Sequence, residues 1–218
     1  MERSNYKKPM EWKYNFKCMC LTLLKVHESF VLSLADGLHW LFLNVIKNKI
    51  KGIPKIDFVG SHILSVSQFS RQDIDKIFSV ADSMLPFANR ERVTRVLEGA
   101  ILGNMFFEPS TRTRVSFGCA WNLLGGEVRE TAEIKTSAIA KGESFYDTAR
   151  VLSGYSDIIV MRHQIEGSVE EFASASRVPV INGGDGSNEH PSQALLDLYT
   201  IRKELSDLGK SVDNLRIA

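Results

Sequence analysis

The chain has 218 residues, enough for one large domain or one domain with an appendage. It is 44% hydrophobic and 24% charged, an ordinary globular composition, and its 27 basic against 26 acidic residues leave no surplus charge to meet nucleic acid. No run of 18 or more uncharged apolar residues exists to span a membrane, so an anionic ligand would have to be met by local positive charge.

Residues 1–52 differ from the rest and read as an N-terminal extension of unknown role. They are rich in apolar and aromatic side chains, yet Lys25, His27, Glu28, Asp36 and His39 interrupt them. The basic start followed by Cys18-Met-Cys-Leu-Thr-Leu-Leu24 resembles a signal peptide, but the apolar run is short and no small-residue cleavage site follows. Cys18, Cys20 and Cys119 form an odd set that fits neither a disulfide framework nor a zinc site. Reduced thiols in a cytoplasmic protein suit them, and neither metal nor cofactor is expected.

From about Gly60 the pattern is regular. Ile74, Ile77, Phe78, Ala81 and Leu85 recur at helical spacing after Ser67-Gln-Phe-Ser70, predicting a helix that ends near Pro86. The apolar run Gly99 to Phe107 reads as a buried strand. A helix over Thr113 to Leu124 follows, stopped by Gly125-Gly126, then a short strand at Val128 and a loop up to Gly142. Beyond it come a helix over Ser144 to Gly154, a strand over Asp157 to Met161, a short helix over Val169 to Ser176, a strand over Val178 to Ile181 and a long helix over Pro191 to Leu205. Alternating strands and helices imply an α/β fold, a parallel sheet covered by helices on both faces. In such sheets ligands gather at the carboxyl ends of the strands.

That edge is where the informative residues fall. Phe106-Phe-Glu-Pro-Ser-Thr-Arg-Thr-Arg-Val-Ser-Phe117 describes a strand emptying into a helix N-terminus, whose free N–H groups and positive dipole end suit an anion. Ser110, Thr111 and Thr113 add hydroxyls, and Arg112 a planar fork matched to two phosphate oxygens. Taken alone, Ser110 or Thr111 serves equally as a helix cap, with Arg112 and Arg114 as solvated charges. Arg162 and His163 follow a second strand, and His190 and Gln193 follow a third. Polar groups converging from separate strands favour a site over isolated caps.

Four segments, Phe106 to Phe117, Ser137 to Ser144, Asp157 to His163 and Gly183 to Ile201, resemble in order and spacing the carbamoyl-phosphate-binding half of the aspartate carbamoyltransferase family. The resemblance spans roughly Ile53 to Ala218. Ornithine relatives share the Ser-Thr-Arg-Thr loop and the His-Pro-x-Gln helix start. Met161-Arg162-His163, Lys141-Gly142-Glu143 and Gly184-Asp185-Gly186 look like the aspartate branch. The resemblance implies a Rossmann-like transcarbamoylase N-terminal domain in which Ser110, Thr111, Arg112 and Thr113 hold carbamoyl phosphate. It further implies that Thr113, Arg162 and His190 polarise the carbamoyl carbonyl and that Gln193 accepts from the carbamoyl amino group.

Lys141, and with it Ser137, would reach into a neighbouring subunit of a homotrimer with shared active sites. Ala140 stands where many relatives carry a second basic residue. A nucleotide-binding regulatory chain is a possible further partner. From the residues alone, His190 as a cap, Arg162 as partner of a surface carboxylate and Lys141 as a loop charge all stay open, and His163 reads as structural. The sequence stops at Asn214-Leu-Arg-Ile-Ala218 as another strand begins, so the aspartate-binding domain expected after it is absent. Glu108, which in relatives helps hold the two domains together, is then expected to lack its partner. Two functions follow. One is aspartate carbamoyltransferase, in pyrimidine synthesis, with L-aspartate bound only if the missing domain is supplied. The other is a catalytically silent carbamoyl-phosphate-binding or interaction module, with an ornithine carbamoyltransferase fragment as a lesser variant.

Overall fold

The computed structural model describes residues 60–130, 142–213, 215 and 216. The N-terminal extension and the loop carrying Ser137, Ala140 and Lys141 lie outside the described residues. The elements are a 3-10 turn (Val66–Gln68), α1 (Arg71–Ser83), α2 (Leu85–Ala88), β1 (Ile101–Phe106), α3 (Thr111–Leu123), β2 (Glu127–Glu130), α4 (Phe145–Leu152), β3 (Ile158–His163), α5 (Ser168–Ala175), β4 (Val180–Asp185) and α6 (Pro191–Asp207). All strands run parallel, in the order β2-β1-β3-β4. Ile63 adds an isolated parallel bridge to Ile181 on the outer side of β4.

The strands of the sheet centre are mostly apolar because both of their faces are dry, with the buried Asn104 interrupting β1. Leu102 and Phe106 of β1, Ile158 and Val160 of β3 and Ile181 of β4 pack under α1, α2, α3 and α6. Met105, Ile159, Met161 and Val180 point the other way, under α4 and α5. The alternation within each run is the strand period, and helices on both faces complete the expected α/β architecture. Burying a side chain as large as Phe117, Phe172 or Leu102, each 0% exposed, contributes roughly 1.5–3 kcal/mol against leaving it in water. Among the described residues no helix is long and apolar enough to cross a membrane.

Local chemistry sets the element ends, and several differ from the sequence reading. Ser70 and Asp73 form a capping box that starts α1. The chain breaks at Met84, so Pro86 falls in the first turn of a second short helix instead of closing the first; a missing N–H costs nothing there. Ser144 caps α4 through the N–H of Asp147, 3.1 Å away. Strand β4 runs on to Asp185, past the Ile181 limit that the apolar run suggested: Asn182 pairs with Met161 and Asp185 with His163, and the buried Gly183 and Gly184 fall at the register shift between those pairs. Leu215 and Arg216 are in no strand, so the start of a strand expected there is not formed in the described part of the tail.

Helices α1 and α6 are tied by Asp82. Tyr199 Oη donates to its carboxylate at 2.5 Å, and Lys203 Nζ lies 2.6 Å from the same oxygen. Trp121, fully buried, donates its indole N–H to the Ala100 carbonyl at 3.1 Å and joins α3 to the start of β1. The turn from α3 into β2 passes so close that a Cβ on Gly126 would sit 2.2 Å from Trp121 Nε1. Gly126→Ala should therefore overpack this corner and destabilise the fold by about 1–3 kcal/mol, read as a lowered midpoint in urea unfolding. An unchanged midpoint would mean that the indole can move aside without cost.

Candidate functional site

At the carboxyl ends of β1, β3 and β4 lies an open cavity of about 830 Å³. Ser110, Thr111, Arg112 and Thr113 line it from the start of α3, Arg162 from the end of β3, and His190, Ser192 and Gln193 from the start of α6. The parallel pairing of β1 with β3 sets Phe106 beside Arg162, and the Phe107 N–H donates to the Arg162 carbonyl at 2.9 Å. Every described residue expected at the site is among those lining this cavity.

Two helices open onto it with unspent N-termini. Ser110 occupies the N-cap position of α3 and His190 that of α6, yet neither side chain makes a capping hydrogen bond, in contrast to Ser70 and Ser144. The reading of Ser110 or His190 as a mere cap therefore fails on geometry. The first N–H groups of α3, with the positive end of its dipole, stay available to an anion, while α6 opens on Pro191, which has no N–H, and contributes its dipole. Arg112 is exposed and forms no ion pair among the described residues, so its guanidinium is free to turn toward a ligand.

Arg162 is held more firmly. Its side chain is 23% exposed, and Nη2 contacts Glu108 Oε1 at 2.9 Å. Glu108 thus has a partner within this domain, a contact separate from the interdomain one it is expected to lack; the two residues are 54 positions apart and meet only because β1 and β3 are neighbours. Gly184, at φ +128°, lets the guanidinium lie against the backbone: a Cβ there would sit 3.0 Å from Nη1 and 3.1 Å from Nε. The Nε atom itself is buried with no hydrogen-bond partner among the described residues.

His190 shares that condition. Its Nε2 is buried and unpartnered, while Nδ1 lies 3.2 Å from Ser192 Oγ. Burial, and then the nearby charge of Arg162, push its pKa down to about 4, with Glu108 opposing the shift. The imidazole is neutral at physiological pH. Gln193 donates its Nε2 to Asp197 Oδ1 at 2.8 Å, an arrangement that leaves its carbonyl oxygen as an acceptor.

His163 takes no part in the cavity lining. Its Nδ1 accepts the Ile165 N–H at 3.0 Å and its ring meets Phe145 edge-on at 4.9 Å, in keeping with a structural role. Sequence reasoning missed Gly184 as the bed for Arg162, and also Glu189. The Glu189 carboxylate accepts from Ser65 Oγ at 2.8 Å and from the Val66 N–H at 2.7 Å, pinning the residue before His190 to the 3-10 turn. A glutamate in a polar turn carries no local signal of a partner more than a hundred residues away.

Residues 61–203 match the family model described as the aspartate/ornithine carbamoyltransferase, carbamoyl-P binding domain. The aspartate carbamoyltransferase catalytic subunit of Saccharophagus degradans is 81% identical over 161 residues, covering 74% of this chain and 48% of that protein. The catalytic subunit of Cellvibrio japonicus is 72% identical over 163 residues, covering 75% of this chain and 48% of that protein. A crystal structure of aspartate transcarbamoylase from Trypanosoma cruzi, in complex with carbamoyl aspartate and phosphate, superposes with a TM-score of 0.67 at 40% identity, covering 72% of this chain and 49% of that one. This chain thus spans about half the length of the relatives it matches. The strand order, the open helix ends and the matched sequence agree, and the chain belongs to the aspartate/ornithine carbamoyltransferase family through its carbamoyl-phosphate-binding domain.

Proposed function

We propose that this chain binds carbamoyl phosphate and serves aspartate carbamoyl transfer: carbamoyl phosphate plus L-aspartate gives N-carbamoyl-L-aspartate and phosphate, a cytoplasmic step toward pyrimidines. The observation that carries the reading is the pair of buried, unpartnered nitrogens, Arg162 Nε and His190 Nε2, in one cavity beside two open helix N-termini. Buried polar atoms are costly unless a partner meets them, and a carbonyl oxygen is an acceptor suited to both.

In this reading the aspartate amine attacks the carbamoyl carbon, and negative charge builds on the carbonyl oxygen. Arg162 Nε–H, His190 Nε2–H and the Thr113 hydroxyl stabilise that charge without moving, which lowers the barrier. Gln193 Oε1 accepts from the carbamoyl NH2 group and orients it. Collapse breaks the bond between the carbonyl carbon and the phosphate oxygen. The departing phosphate takes the electron pair, held by Arg112, the Ser110 and Thr111 hydroxyls and the first N–H groups of α3; the amine proton leaves with phosphate or to solvent. Because His190 is neutral, it acts as a hydrogen-bond donor here and not as a protonated acid.

Lys141 is proposed to contribute from a neighbouring subunit of a homotrimer, with a regulatory chain as a further candidate partner. A second reading, a binding module without turnover of its own, draws support from the cavity lining. Arg112 and Arg162 are its cations among the described residues, and Arg162 is already paired with Glu108. That charge suits a phosphate dianion and leaves little for the two carboxylates of aspartate.

Calorimetric titration of the chain with carbamoyl phosphate, followed by aspartate and an assay for carbamoylaspartate, distinguishes the two readings. Saturable binding is expected; turnover supports the transferase, binding without turnover the module, and no binding refutes both. Arg112→Ala should weaken carbamoyl phosphate about 10- to 100-fold through loss of a bidentate charged contact, while the unfolding midpoint stays put because the side chain is exposed. Undiminished affinity in that variant would remove Arg112 from the site. The depressed pKa of His190 also has a stability signature. As pH falls below 6.5 the unfolded chain takes up this proton first, so the contribution of the buried neutral ring is complete above 6.5 and is lost as pH approaches about 4. Urea midpoints of His190→Gln should accordingly fall less than those of the parent over that interval, and parallel curves would contradict the shift.

A further inference from the structure

The described histidines differ in what holds Nδ1. His62 Nδ1 accepts the Val180 N–H at 3.0 Å, and His163 Nδ1 accepts the Ile165 N–H at 3.0 Å. A backbone amide can only donate, so both rings must carry their hydrogen on Nε2 when neutral. His190 Nδ1 instead faces the hydroxyl of Ser192 at 3.2 Å, a group able to donate or to accept. Nothing in the backbone decides which nitrogen of this ring is protonated, although the choice determines whether Nε2 presents a hydrogen or a lone pair.

The surroundings of Ser192 decide it. The residue is 5% exposed, and His190 Nδ1 is the partner of its hydroxyl among the described residues. Were Nδ1 protonated, it would donate to Oγ and the Ser192 O–H would be left without an acceptor inside the protein, a costly arrangement. At the same time Nε2 would turn a lone pair into a cavity whose proposed ligand atom is a carbonyl oxygen, leaving acceptor against acceptor. With the hydroxyl donating to Nδ1, both conflicts vanish, and Nε2–H joins Arg162 Nε–H as a second buried donor lining the same cavity.

We infer that Ser192 is a positioning residue that fixes the tautomer of His190, donating its hydroxyl hydrogen to Nδ1 so that Nε2 carries the hydrogen offered to the carbamoyl oxygen. The inference rests on the reading of His190 as a carbonyl donor given above. It assigns to the second residue of α6 a role in the chemistry that is exerted through His190. Its substitution acts by population: apparent affinity falls in proportion to the fraction of rings that keep the hydrogen on Nε2, about twofold for an even mixture.

The test is a long-range proton–nitrogen correlation spectrum of the 218-residue chain with 15N-labelled histidine, near pH 7, where His190 is neutral. A spectrum of His190→Gln assigns the His190 signals, and His62 and His163 serve as internal references for the Nε2–H pattern. The parent should show that pattern at His190, Ser192→Thr should retain it, and Ser192→Ala should lose it while His62 and His163 stay unchanged. A parent ring protonated on Nδ1, or an unaltered Nε2–H pattern in Ser192→Ala, would overturn the inference. Carbamoyl phosphate affinity, measured on the same samples, separates this from the functional reading. A tautomer change accompanied by the proportional loss of affinity supports both. A tautomer change with affinity unmoved upholds Ser192 as the tautomer-setting group but overturns its stated effect on carbamoyl binding and, with it, the donor role of His190.

Discussion

The structure depends on the side-by-side parallel pairing of β1, β3 and β4. Parallel pairing sends every strand's carboxyl end to the same rim, and the dry helical layers on both faces hold the register in place. Slipping β3 by one residue against β1 would exchange Ile158 and Val160 for Ile159 and Met161 between the two cores, and would carry Arg162 away from Phe106 and Glu108. Site and core are therefore one constraint. The residues that meet in the cavity come from three separate segments, at the ends of β1, β3 and β4, and only the sheet brings them together.

Within that frame, electrostatics does the finer placement. Arg162 is mostly withdrawn from water, which would be costly for a bare cation. Glu108 offsets part of that cost, the carbonyl of Gly183 lies 3.4 Å from Nη1, and the missing side chain of Gly184 lets the guanidinium lie flat. The same cation, together with burial, keeps His190 neutral. The charge thus adds to the burial that keeps its neighbour neutral.

Much of this was legible in the sequence, for physical reasons that differ by element. The strands at Ile101–Phe106 and Ile158–His163 stand out as short apolar runs, and α3, α4 and α6 are marked by a polar lead-in or a proline at the first turn. The helix end near Pro86 misled because a proline is excluded from a helix interior but welcome in a first turn. Strand β4 reaches past its apolar run because Gly183 and Gly184, poor strand formers, bridge the register shift between the Met161–Asn182 and His163–Asp185 pairs. Ser110, Arg112, Thr113, Arg162, His190 and Gln193, which line one cavity, sit at element boundaries that pattern can locate. The Glu108–Arg162 pair, the bed at Gly184 and the Glu189 anchor have no such marker, since each is a contact between distant segments.

The bridge at Ile63 has a further consequence for how copies of this protein behave beside one another. A bare outer strand is a template for the next chain. Along β4 that template is already used: His62 Nδ1 takes the Val180 N–H, Ile63 pairs with the Val180 carbonyl and the Asn182 N–H, and the Leu64 carbonyl takes the Asn182 carboxamide. The opposite rim is defended differently, by the brevity of β2 and the exposed charges of Glu127, Arg129 and Glu130. Three residues of otherwise irregular chain thus work as a seal on the long rim, and short length with charge does the same on the other, so neither rim of the sheet invites its extension from one molecule to the next.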